Sequence, residues 1–486
     1  MNNEGHSALT ASPLVALVTK TALRRSFGTA DPSRCGPSAG KCRLRLVGGN
    51  LYRGKACNLR RPNIQLLSAM LISALSRHPP IASEAELCLF QGANPAALKV
   101  PAGMAPILQW CTLSSDVLSI PTPYEADCVY KHRYAFTLAH HRRLLANTHE
   151  PPPRWEEKRP LAVWRGACTG SASLYSMAGA SMRRLPPRAR LSHLSTQHPD
   201  LIDAVLFPCA RCASLWRRQP SLFGNASQAL TDADYAKYKY ILDLDGDGCS
   251  GRLSKLLYSG SVVLKSWGGR GGGGGGYPFY YHALKPWKHF VPIAADLSDL
   301  VERLHWLKSH DEEARDIARR ASEFARLWLS PEAIDGYTYA LLVGLAELQR
   351  ARSQKHETEA LESSPASKAA KATVQRADLE LNFDLIHRAG DGDGGLSYIN
   401  MTDHKERTLS VRCPASEAPP WMLPVDSATE LAQEYLDAAA HALRPVSYGG
   451  MATASSAPKR GREAALRAAA RGYKLRKGVW TPPRRR

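Results

Sequence analysis

The stretch from Lys237 to Lys265 constrains the fold of this chain more than any other. Tyr240 to Leu244 reads as a strand, and Asp245 to Cys249 is a tight Gly/Asp turn. Ser250 to Tyr258 fits a short helix with Leu253, Leu256 and Leu257 on one face, and Ser261 to Lys265 is a second strand. Such a β-α-β unit demands parallel strands joined by a right-handed crossover. The expected fold class is therefore α/β. Downstream, Asp296-Leu297-Ser298-Asp299 opens a helix on an acidic first turn. Asp311 caps a second helix, whose Ile317, Ala321, Phe324 and Leu327 recur at helical spacing, and Ser330-Pro331 caps a third.

The remaining chain organises around this block. At about 100–200 residues per domain, 486 residues give room for about two to four domains. Residues 1–60 lack sustained periodicity and read as a basic, disordered tail. A first α/β lobe is expected over 61–155, with a helix from Ile64 and strands near Glu86–Phe90 and Asp116–Ile120. Pro151-Pro152-Pro153 marks the connection to a second lobe, 156–349. A Ser/Ala/Lys/Glu-rich linker over 350–377 leads to a small accessory segment, 378–443, and a second basic, disordered tail, 444–486. The net charge of +20 sits mainly in the two ends: only Glu4 and Asp31 are acidic before Glu84, and only Glu463 in the last thirty residues. These ends read as solvated tails, and no specific nucleic-acid partner is expected.

Eleven cysteines in so long a chain do not make a small disulfide scaffold. Cys209-x-x-Cys212 has no second pair at zinc spacing, so disulfides or buried thiols are expected. No apolar run reaches the ~18 residues of a membrane span. Neither a clean signal peptide nor a retention signal is evident. Asn225-Ala226-Ser227 and Asn400-Met401-Thr402 are glycosylation sequons, meaningful in a lumenal chain.

Two segments have the residue types of a ligand site. The turn Asp245-Gly246-Asp247-Gly248 lets the backbone bend beyond a strand's carboxyl end, where ligands bind in open α/β folds. The helix start Ser250-Gly251-Arg252 offers free N–H groups, close approach at glycine and a bidentate cation for a phosphate. An ordinary β-α-β connection with a surface arginine is the plain alternative. Asp243 and Asp245 lie on one side of the strand and have the spacing of a metal-binding DxD pair. The Asp243–Gly248 stretch fails as an EF-hand because its twelfth position is Ser254. Trp164-Arg165-Gly166-Ala167-Cys168-Thr169-Gly170-Ser171 runs from a strand into a small-residue turn, exposing backbone N–H groups and the Thr169 and Ser171 hydroxyls. The glycine tract from Gly268 to Gly276 lacks the Lys-Ser/Thr of a P-loop and reads as a flexible loop.

These motifs, in this order, resemble the protein O-glucosyltransferase / capsule-associated xylosyltransferase family. Further matching pieces are Leu201-Ile202-Asp203-Ala204, Lys237 to Gly246, Ser261 to Lys265, and Tyr281 to Ile293 with its Lys285-Pro286-Trp287. The resemblance implies a GT-B fold, two Rossmann-like lobes with the donor in the cleft between them, the first lobe facing the acceptor. It implies inverting transfer of glucose or xylose from a UDP-sugar to a hydroxyl of a protein or glycan, without a metal or other cofactor, in the ER or Golgi lumen. It places the donor on Arg165 and Gly166 and on Ser250 and Arg252. One departure stands out. The family's base, an aspartate closing the first strand, corresponds here to Asn94 in Glu86-Leu87-Cys88-Leu89-Phe90-Gln91-Gly92-Ala93-Asn94-Pro95, and an amide takes no proton from a hydroxyl. Asp116, foremost, Glu125 or Asp127 is left to act as base, or the domain binds donor without efficient transfer.

Overall fold

The computed structural model describes residues 23, 41–55, 57, 62–90, 107–108, 118–121, 153–169, 185–246, 248–266, 277–281, 283–359, 379, 383–388, 396–399, 406–409, 474–476 and 479–481. Residues Met1–Ala439 form one compact unit and Ala440–Arg486 another.

The first unit contains two five-stranded sheets. In the first, β1 (Lys41–Val47) and β2 (Asn50–Gly54) form a hairpin around Gly48 and Gly49, both at positive φ. Two residues with φ above zero suit the tight turn that right-twisted strands prefer. β1 also pairs antiparallel with β3 (Ala85–Phe90), and β3 pairs parallel with β4 (Ile107–Leu108). Thus the expected 1–60 tail gives way to strands over Lys41–Gly54. Cys42, Leu44 and Leu46 are buried, while the alternate Arg43 and Arg45 both pair with Glu86 on β3. Those arginines make a short strand look like basic tail. A disulfide between Cys42 and Cys57 closes the hairpin onto the following loop.

The second sheet is wholly parallel, in the order β6-β5-β7-β8-β9, with β5 Arg159–Ala167, β6 Ile202–Phe207, β7 Tyr238–Asp243, β8 Val262–Ser266 and β9 Val291–Ile293. This is the expected α/β class with a Rossmann-like sheet. β7 and β8 are buried on both faces, which explains why they read as continuous apolar runs rather than alternating ones. Helix α1 (Pro62–Ser76) belongs to the first half. Helices α2 (Pro187–Gln197), α3 (Ala213–Arg218), α4 (Asp232–Tyr235), α5 (Leu253–Leu257), α6 (Leu300–Ser309) and α7 (Asp311–Trp328) accompany the parallel sheet. In α7, Ala314, Ile317, Ala318, Ala321, Phe324, Ala325 and Trp328 make a buried stripe behind an acidic first turn.

Helix α8 (Pro331–Glu359) joins the two halves and runs into the segment expected as linker. Its Asp335 pairs with Arg77 and accepts from the Ser73 hydroxyl. Tyr339 donates to the Pro79 carbonyl at 2.9 Å, and the Gln349 amide bonds both the N–H and the carbonyl of Glu86 at 2.8 and 2.7 Å. Strand β10 (Phe383–His387), expected in an accessory segment, pairs antiparallel with β2 and completes the first sheet. Beyond it β11 (Leu396–Ile399) and β12 (Glu406–Leu409) form a hairpin. In the second unit β13 (Lys474–Arg476) and β14 (Val479–Thr481) form another, within the expected 444–486 tail. No described helix is long and apolar enough to cross a membrane.

Candidate functional site

The strand order of the parallel sheet places the site. The chain leaves β5 for β6 on one side and then builds β7, β8 and β9 on the other. Such a reversal opens a crevice at the carboxyl ends of the two diverging strands, where open α/β sheets bind ligands. Here those ends are the last residues of β5, with Cys168 and Thr169 after them, and the end of β7 at Asp243, with the turn to Ser250 after it.

A buried charge cluster shapes the second of them. Register sets Asp243 beside Lys265 on β8. The Lys265 ammonium lies 3.2 Å from Asp243 and 2.6 Å from Asp245, and it is only 1% exposed. Burial works against its charge, but the two carboxylates outweigh burial and hold its pKa well above the ordinary lysine value. Burial raises the Asp245 pKa, and Asp243 adds to the rise while Lys265 opposes it. Ser250 ties the turn shut: its N–H donates to Asp245 at 3.0 Å and its hydroxyl to Asp243. The DxD carboxylates thus face a resident ammonium, and Ser250 serves the turn.

Arg188, from the first turn of α2, was not singled out by sequence. Its guanidinium donates to the carbonyls of Ala167 at 2.9 Å, Leu244 at 2.9 Å and Asp245 at 3.2 Å, stapling the ends of β5 and β7. It also lies over the Trp164 ring, 5.5 Å from the centroid. Gly246 passes beneath it. A Cβ there would meet the Thr169 hydroxyl at 2.6 Å and Arg188 Nη2 at 3.1 Å, so close approach of the backbone accounts for this glycine. Sequence offered little signal for Arg188, one of several arginines in a Pro-Arg stretch.

Arg165, Gly166 and Ala167 lie in β5 rather than in the turn after it. The Arg165 side chain is engaged sideways, with Asp203 at 2.9 Å and the Gln228 carbonyl at 2.7 Å. Gly166 makes room for the Trp164 indole, which a Cβ would meet at 2.5 Å. Helix α5 begins at Leu253, three residues later than sequence suggested, with Gly251 in the turn before it and Arg252 as its N-cap. Arg252 Nη1 donates to the Arg165 carbonyl at 2.6 Å and to the Tyr235 hydroxyl at 3.3 Å. Among the described residues its Nε and Nη2 engage nothing. Tyr235, also missed by sequence, accepts from the Arg165 N–H at 3.0 Å, and burial raises its pKa. The structure therefore gathers Thr169, Asp245, Gly246, Ser250, Gly251 and Arg252 around one strand-end crevice, with Arg165 and Gly166 on its β5 wall. Asn94, Asp116, Glu125, Asp127 and Ser171 lie outside the described residues.

Close by, Cys168 is disulfide-bonded to Cys212, and Cys209 is free. The three sulfurs lie within 4.8 Å of one another. The expected disulfides are thus present, although Cys212 bonds Cys168 rather than its CxxC neighbour; Cys88 and Cys249 are disulfide-bonded too.

Residues 36–381 match the model of glycosyl transferase family 90. The chain belongs to that family. It is similar to protein O-glucosyltransferase 2 of Danio rerio, 30% identical over 247 residues, which cover 50% of this chain and 43% of the relative. It is likewise similar to protein O-glucosyltransferase 3 of Homo sapiens, 30% identical over 250 residues (51% and 43%), and to protein O-glucosyltransferase 1 of Rattus norvegicus, 31% identical over 189 residues (39% and 42%). These matches span less than half the length of each relative. The resemblance read from Trp164 to Ile293 and the family match therefore agree.

Proposed function

We propose that this family 90 chain is a nucleotide-sugar-dependent glycosyltransferase. It takes a UDP-sugar, with glucose or xylose, and transfers the sugar with inversion to a hydroxyl of a protein or glycan acceptor. The observation behind this reading is Arg252, seated at the switch point of the parallel sheet with Nε and Nη2 unengaged by described residues. A guanidinium there suits a diphosphate, which it meets bidentately. Arg188 adds positive potential and holds the two strand ends in place, Gly246 and Gly251 let the backbone approach, and Thr169 offers a hydroxyl. Lys265 and Asp245 act indirectly, by fixing the turn that presents Ser250 and Arg252. In this reading the donor lies in a GT-B cleft, with residues 61–155 contributing the acceptor side and the base drawn from Asp116, Glu125 or Asp127. The relatives' names, O-glucosyltransferases acting on protein, support the choice of sugar and acceptor. Several disulfides support an oxidising, secretory compartment. Calorimetry of the full chain with UDP tests the site. Arg252→Ala should cost about 1.5–3 kcal/mol of affinity, the worth of a hydrogen bond to a charged group. An unchanged Kd refutes the assignment.

A second reading, donor binding without transfer, is favoured by one observation: Asn94 stands where the family resemblance expects the base. A UDP-sugar hydrolysis assay separates the two readings. Turnover supports the transferase, and tight UDP binding without turnover supports a binding protein.

A further inference from the structure

We propose that Cys168, Cys209 and Cys212 form a thiol–disulfide exchange site in which a Cys168–Cys212 bond and a Cys168–Cys209 bond interconvert. All three cysteines sit at the carboxyl edge of the parallel sheet. Cys168 directly follows β5, Cys209 lies just beyond the end of β6, and Cys212 immediately precedes α3. The free Cys209 sulfur lies 2.7 Å from the Cys168 sulfur, which is already bonded to Cys212. Exchange proceeds by attack of a thiolate on one sulfur of a disulfide. All three sulfurs lie within 4.8 Å of one another.

The surrounding groups fit the two ends of the step. Cys209 is half-buried rather than sealed in the core. Its S–H donates to the Cys168 carbonyl at 3.1 Å, which keeps the sulfur beside its target. The leaving group is Cys212 Sγ, which accepts from the Cys209 backbone N–H at 3.3 Å. A hydrogen bond to the departing thiolate lowers its basicity and eases departure. Cys209 loses a proton to solvent, its thiolate bonds Cys168 Sγ, the Cys168–Cys212 bond breaks, and Cys212 leaves as a thiolate that takes a proton from solvent. One disulfide is lost and one formed, so no oxidant or reductant is consumed.

Exchange would move the anchor of the loop after β5. Ala167, whose carbonyl holds Arg188, precedes Cys168, and Thr169, which packs against Gly246, follows it. The inference concerns the chain's own sulfurs and stands whether or not the donor assignment does.

Disulfide mapping tests it. The full chain is equilibrated in a glutathione redox buffer under native conditions, quenched with acid, alkylated and digested. A Cys168–Cys209 peptide should appear beside the Cys168–Cys212 one, and alkylation lost at Cys209 should reappear at Cys212. Cys209→Ser should abolish the first peptide, and Cys212→Ser should drive Cys168 wholly into the bond with Cys209. If the wild-type chain yields Cys168–Cys212 alone with Cys209 fully alkylated, the proposal is overturned. Wild-type mapping decides even if Cys212→Ser fails to fold. Recovery of Cys168 and Cys209 as two alkylated thiols in a folded Cys212→Ser chain would overturn it equally.

Discussion

Replacing Lys265 with methionine removes a buried ammonium and leaves two carboxylates facing each other at the end of β7. At separations of 2.6 and 3.2 Å, and with an effective dielectric constant of about 20, each attraction is worth roughly 5–6 kcal/mol gross. Methionine also relieves the cost of burying the ammonium, so breaking this buried cluster should destabilise the fold by about 3–5 kcal/mol. The loss has a pH signature. Asp245 has a folded pKa raised above its unfolded value, so it holds its proton to higher pH when folded. That contribution is complete below the unfolded pKa and is lost as pH rises through the folded one. Without Lys265, the main influence lowering that pKa disappears and it rises further. The deficit of Lys265→Met should therefore be greatest near neutrality and shrink between pH 7 and pH 5. Urea denaturation of both chains at the two pH values measures this, and adding Asp243→Asn should recover part of the loss. A deficit below about 1 kcal/mol at pH 7, or one unchanged at pH 5, would refute the reasoning, since partner loss in a buried cluster is expected to exceed this.

Gly246→Ala, which drives a methyl into the Thr169 hydroxyl, should lose about 1–3 kcal/mol by denaturation, and Thr169→Ala in the same chain should restore most of it. Lys158 donates to the Ala236 carbonyl, the Ser259 carbonyl and the Ser261 hydroxyl, so Lys158→Met should cost about 1–3 kcal/mol. Burial lowers the Lys158 pKa from 10.5 to about 8. The unfolded chain therefore binds more protons between those values. Wild-type stability should gain from this residue as pH rises through that window, and Lys158→Met should lack the gain in parallel melts. Asp116→Asn should lower turnover about 100-fold or more without changing UDP affinity, as for loss of a general base, whereas Asn94→Asp should raise it; steady-state kinetics on both checks the assignment.

What was legible in the sequence was local. The β-α-β unit from Tyr238 to Ser266 could be read because its strands, turn and helix are contiguous and its apolar runs unbroken. The partner of Asp243 was not legible. Lys265 was visible at the end of an apolar strand, but only the register between β7 and β8 brings its ammonium to the carboxylates. Arg188 is a starker case: it acts on carbonyls 21 to 57 residues away, and no local pattern distinguishes it from neighbouring arginines. Arg165 misled in the other direction. Its position beside glycine suggested a ligand turn, yet β5 continues through it and Asp203 on β6 takes its charge. The β1–β2 hairpin was hidden because Arg43 and Arg45 occupy the alternate positions.

The return of β10 to the edge of β2 bears on how the chain comes off the ribosome. β2 ends at Gly54, and its outer neighbour begins at Phe383. Synthesis proceeds from the N-terminus at about 5–20 residues per second, so that edge waits roughly a quarter of a minute to a minute for its partner. Meanwhile the N–H and C=O groups of β2 stand open to any passing strand. A nascent chain stalled, truncated or cleaved between α8 and β10 would keep the whole parallel sheet yet expose that edge permanently. Products ending in this interval should accumulate as strand-paired aggregates, even though every residue of the crevice has already been made.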